Sequence, residues 1–122
     1  MDPVGLPSIT AVGRMIGTPT SMSPEQVRGR RVTPAADVWG LGVLLYQALT
    51  LELPFQGITV CDLAVEIVTA KPVSPRAIDP YVPRSLESVC LHALARHPEA
   101  RPPDAGPFAS ALEAALGSSP CL

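Results

Sequence analysis

Apolar residues recur along this chain at spacings of three and four, the period of a helix with one buried face. Leu86, Val89, Cys90, Ala93 and Leu94 fill every position of that template between Arg84 and Arg96. Phe108, Ala111, Leu112, Ala115 and Leu116 repeat it, and predict a helix that Asp104 caps and Gly117 stops. Leu63, Ala64 and Ile67 predict another, from Val60 to about Thr69, behind a Thr59 cap. The segment from Thr33 to Thr50 differs. Val38, Leu41, Leu45 and Leu49 form one stripe, while Trp39, Val43, Leu44 and Tyr46 cover the other sides. A helix apolar all round is expected to be buried. Ser23-Pro24-Glu25 supplies a cap, a Pro at the first position and an acid in the first turn, so one or two helical turns are expected there.

The rest reads as connectors. Residues 1 to 16 carry no period and are expected to be loop. Leu53 to Gly57 is expected to turn, with Phe55 tucked inward, and Lys71 to Pro83 is expected to be a Pro-rich loop. No segment alternates as a strand would. The expected fold class is therefore mainly α, with about five helices and no significant sheet.

Composition narrows this further. The 122 residues suffice for one domain with a moderate core. A hydrophobic content of 47% with 16% charged residues excludes a chain disordered by composition. The 15 Pro fall mostly in the connectors, where they delimit helices instead of breaking them. A net charge of −2 makes no case for nucleic acid or an anionic membrane as partner. The apolar run from Val38 to Leu51 is shorter than the roughly 20 residues a membrane span needs. Met1 to Ile16 has neither the basic start nor the apolar run of a signal peptide. Cys61, Cys90 and Cys121 form no Cys-x-x-Cys pair, so reduced thiols and a cytoplasmic location are expected. Cys90, His92 and His97 match no usual zinc spacing, and Cys90 falls on an apolar stripe, so no metal site is expected. Arg28, Arg30 and Arg31 read as a solvated basic connector.

Three short motifs carry more chemistry. Gly17-Thr18-Pro19-Thr20-Ser21-Met22 leads into Ser23-Pro24-Glu25. Asp37-Val38-Trp39-Gly40-Leu41-Gly42 opens the apolar helix, and Arg96-His97-Pro98-Glu99-Ala100-Arg101-Pro102 precedes the last helix. In this order they resemble the end of the activation segment, the start of the large buried helix and the Arg-containing turn of a protein kinase. The wording is similar to the eukaryotic-like serine/threonine kinases of bacteria. The resemblance implies the helical C-terminal lobe of the kinase fold, as a partial domain over residues 1–117. Its activation segment would span 1–27 and its helical lobe 28–117, with a frayed tail over 118–122.

The resemblance also implies roles. Gly17, Thr18, Pro19, Thr20 and Ser21 would line the site for a peptide substrate, where Gly gives backbone freedom, Pro stiffness and hydroxyls orienting hydrogen bonds. Ser21 departs from the Tyr usual at its position. Glu25 and Arg101 would form a buried ion pair. Asp37, Trp39 and Gly42 would be structural core positions of the buried helix, and Asp37 in its first turn also suits the helix dipole. Thr10 and Ser8 would be candidate phosphorylation sites, and a phosphate there can order a loop through an Arg.

The motifs that hold nucleotide are not found in these residues. There is no Gly-x-Gly-x-x-Gly, no His-Arg-Asp and no Asp-Phe-Gly, and the only Lys, Lys71, follows the activation segment instead of preceding it. The complete family transfers the γ-phosphoryl group of ATP to protein Ser or Thr with Mg²⁺. The expectation for this chain is a kinase C-lobe fragment that is catalytically inactive alone and binds neither ATP nor Mg²⁺ by itself. Its expected partners are a protein or peptide substrate and a kinase N-terminal lobe or intact kinase. A non-catalytic kinase-derived binding module and a non-functional gene fragment stand as alternatives.

Overall fold

The computed structural model describes residues 19–117. Gly17, Thr18, Ser8, Thr10 and the tail over 118–122 lie outside the described residues. Six α-helices follow one another: α1 (Pro24–Val27), α2 (Ala35–Thr50), α3 (Val60–Thr69), α4 (Pro75–Ile78), α5 (Arg84–Ala93) and α6 (Ala105–Gly117). Short 3-10 turns at Pro19–Ser21 and Pro98–Ala100 complete the architecture, and no strand occurs among the described residues. The fold is mainly helical, as the apolar period requires.

Local chemistry sets most boundaries. At α1 the Ser23 hydroxyl accepts from the Gln26 amide, and the Gln26 side chain accepts in return from the Ser23 amide, a reciprocal cap that holds a four-residue helix. Gly29 follows at φ 67°, a left-handed turn that suits a residue without a Cβ. The Thr59 hydroxyl caps α3 through the Asp62 amide. Asp104 accepts from the Gly106 amide at the entry to α6. α5 stops at Ala93, three residues short of the periodic stretch; the Leu94 amide still donates to the Cys90 carbonyl, but the Ala95 amide donates to His92 three residues back, which breaks the helical ladder.

α2 is the spine. Val38, Trp39, Val43 and Tyr46 are buried along it, and they pack with Met22, Val27, Phe55, Leu63, Ile67, Cys90 and Leu94 into the main core. A smaller cluster joins Val38 to Ala93 and Phe108, which seats α6 on α2 and α5. Each Val, Leu, Ile, Met or Phe side chain among them contributes about 1.5–3 kcal/mol on burial. Gly42 lets α2 and α5 meet closely: a Cβ there would stand 2.8 Å from the Ala93 Cβ. The Cys90 thiol donates to the Gly42 carbonyl at 3.6 Å, and burial, with Glu87 adding, pushes its pKa up to about 12. It is a core residue with no reactive thiolate.

Three expectations change. The all-round burial of α2 fails at Leu44, which is 63% exposed, because one side of the helix faces an open cleft and not another element. Asp37, expected among the core positions, is exposed in the first turn of α2. The stretch from Lys71 to Pro83 is not all loop. Pro75 is buried and starts α4, whose Arg76 amide donates to Glu87 while the Arg76 side chain donates to the Val82 carbonyl. Tertiary contacts, not local propensity, hold that turn.

Candidate substrate-docking site

The Pro19–Ser21 turn lies over the N-terminal half of α2, and between them opens a cleft of about 550 Å³. Thr20, Ser21, Asp37, Gly40, Leu44 and Gln47 are among its lining residues. The buried Met22 and Ser23 anchor the turn from behind, so the capped helix α1 fixes its exit. At Gly40 a Cβ would lie 3.9 Å from the Ser21 carbonyl oxygen, so helix and turn backbones nearly touch. The floor is apolar, the rim holds hydroxyl, amide and carboxylate groups, and the cleft is open. Such a surface suits an extended peptide with a few oriented polar contacts.

Beneath the turn lies a fully buried polar hub. Arg101 grips Glu25 in fork geometry, Nη1 to Oε2 at 2.7 Å and Nη2 to Oε1 at 2.8 Å. Its other donors go to the carbonyls of Ala35 at 3.0 Å, Ala95 at 2.7 Å and Arg96 at 3.0 Å. All five N–H groups of the guanidinium are therefore used. Its Cζ also stands 5.0 Å from the Trp39 ring centroid, a cation–π contact, and Trp39 stacks on Phe55 at 5.4 Å with 13° between planes. One residue thus joins α1, the start of α2, the end of α5 and the aromatic core. The Trp39 Nε1 is buried without a hydrogen-bond partner among the described residues.

Burial pushes the Glu25 carboxyl up, but the hydrogen bonds and charge of Arg101 outweigh it, and the net shift is downward. A carboxyl with a lower pKa folded than unfolded contributes stability that is present above the unfolded value and is lost as pH falls through the folded value. Below about pH 4.5, the usual value for this group, the advantage of the native chain over Glu25→Gln is expected to shrink steadily. Urea unfolding of both proteins across acid pH measures it, and parallel curves would contradict the assignment.

The described groups with displaced pKa values, Glu25, Tyr46 and Cys90, are all engaged within the fold, in an ion pair, a hydrogen bond and the core respectively. Tyr46, raised mainly by burial, donates from its hydroxyl to the Val73 carbonyl at 2.6 Å. Of the docking positions, Thr20 and Ser21 line the cleft, while Pro19 starts the turn. His92 and His97 are exposed, apart from the buried Cys90. Sequence reasoning missed the reciprocal cap, although Ser-x-x-Gln signals it, and the three carbonyls on Arg101, which no side-chain pattern reports.

The protein kinase domain matches residues 6–111. The serine/threonine-protein kinase pkn3 of Myxococcus xanthus is 36% identical over 110 residues, which cover 88% of this chain and 20% of that protein. The serine/threonine-protein kinase PknB of Mycobacterium tuberculosis is 40% identical over 94 residues, 77% of this chain and 15% of that protein. The tyrosine-protein kinase MasK of Myxococcus xanthus is 42% identical over 109 residues, 88% of this chain and 17% of that protein. The chain thus spans a fifth or less of the length of these curated relatives. No helix among the described residues is long and apolar enough to cross a membrane.

Proposed function

Because this chain belongs to the protein kinase domain family, we propose that it is the substrate-docking part of a serine/threonine protein kinase. It presents a protein or peptide to the γ-phosphoryl group of ATP·Mg²⁺, which other residues hold. The observation that carries this reading is the cleft between the Thr20–Ser21 backbone and α2, locked from below by the Glu25–Arg101 pair. A turn held over an open cleft orients an acceptor hydroxyl before the reaction, and such positioning, together with electrostatic stabilisation, is how phosphoryl transfer is catalysed. Gly17, Thr18 and Pro19 are further proposed docking positions of that site, carried over from the family motif. Thr10 and Ser8 are its proposed phosphorylation sites.

The sequence has no Gly-rich loop, His-Arg-Asp or Asp-Phe-Gly. That observation favours a second reading, a docking module that binds peptides or an intact kinase and does no chemistry. Both readings expect the purified 122-residue chain to transfer no phosphate from ATP·Mg²⁺ to a Ser/Thr protein substrate. Radiolabel transfer that persists through purification from a host lacking other such kinases would overturn them.

A further inference from the structure

A second cleft lies beside the start of α1 and the Pro98–Ala100 turn, and its charge sets it apart from the rest of the molecule. Arg28, Arg30, Arg31 and Arg96 line it together with His97 and Glu99, in a volume of about 320 Å³. Four of the nine Lys and Arg residues of a chain with net charge −2 therefore meet in one concavity. The other carboxylate there, Glu25, is already neutralised by Arg101, so Glu99 alone stands against four guanidinium groups. Arg28, Arg30 and Arg31 are exposed and make no ion pair or side-chain hydrogen bond among the described residues. Arg96 is held in place, with Nη2 donating to the Thr69 and Ala70 carbonyls at the end of α3.

We propose that this cleft docks a phosphorylated peptide segment. The Glu25–Arg101 pair shows that one guanidinium fork satisfies one carboxylate. Arg28, Arg30 and Arg31, which line one space beside the tethered Arg96, call for an anion with more charge and more acceptors, and a phosphorylated side chain brings nearly two charges and three acceptor oxygens. The volume suits one such side chain with its flanking backbone. Pro24 and Pro98 are among the lining residues and stiffen the backbone next to Glu25 and Arg101 of the buried hub. The concave shape disfavours a bilayer, which offers a flat array of charge and would leave the floor unfilled.

The test is fluorescence anisotropy of the full chain with a labelled peptide carrying a central phosphothreonine, its unphosphorylated twin, and phosphatidylserine vesicles. The phosphopeptide is expected to bind about tenfold or more tightly than its twin, with affinity falling as salt rises. The double change Arg30→Gln, Arg31→Gln is expected to lose about tenfold or more of that affinity. Its unfolding midpoint should stay put, because both side chains are exposed. Equal binding of the two peptides, wild-type affinity in the folded double variant, or preference for the vesicles over the phosphopeptide would each overturn the proposal. The readout needs no phosphate transfer, so it stands or falls apart from the proposed docking of kinase substrates.

Discussion

Glu25→Ala and Arg101→Ala are each expected to lower the unfolding free energy by about 3–5 kcal/mol, the largest cost of any polar change in this chain. Removing Glu25 leaves a guanidinium in the protein interior with two donors unpaired. Removing Arg101 leaves a carboxylate at 5% exposure, and three carbonyls lose their donor. In both cases a desolvated charge loses its counterpart, and that loss dominates because the pair itself contributes little net stability. The double change should therefore cost less than the sum of the two, by about 1–3 kcal/mol. Strict additivity in urea unfolding would show that the contact carries no coupling. Native stabilities run at about 5–15 kcal/mol, so either single change can bring the chain close to unfolding.

Trp39→Ala is expected to cost a similar amount, about 3–5 kcal/mol, through lost burial and the cavity left behind. The ring is 1% exposed and bridges Phe55 on one side and Arg101 on the other. Trp39→Phe separates packing from polarity. It keeps a ring in the stack and removes an indole N–H that is buried without a partner among the described residues, a group whose desolvation costs about 1–3 kcal/mol. The Phe variant should therefore lose much less than the Ala variant. Equal losses would mean that the stack on Phe55 contributes nothing.

The long helices are legible in the sequence because their apolar spacing is regular, and α3 and α6 also carry Thr59 and Asp104 at their starts. α2, α3 and α6 begin and end close to the positions that period and caps dictate. α4 is not legible, since a four-residue turn in a Pro-rich stretch has too few positions to show a period, and contacts to Glu87 and Val82 hold it. Leu51 ends α2 at φ 64°, a conformation that favours Gly, so the local residue gives no sign of the stop. Leu44 is read as core because an all-apolar helix does not say which of its sides will meet a cleft. The site is legible in a different way. Glu25 and Arg101 lie 76 residues apart, a separation that no periodicity spans, and only the likeness of two motifs places them together. The basic cleft depends on Arg96 folding back beside Arg28, Arg30 and Arg31, which the linear sequence keeps far apart.

The most direct test is a graft. The matching segment of the PknB kinase is replaced by residues 19–117 of this chain, and radiolabel transfer from ATP is measured together with the identity of the phosphorylated residue. The account predicts that the hybrid phosphorylates protein Ser or Thr, and that the Arg101→Ala change abolishes this. A hybrid that folds and binds ATP yet transfers nothing, or that labels Tyr alone, would contradict it.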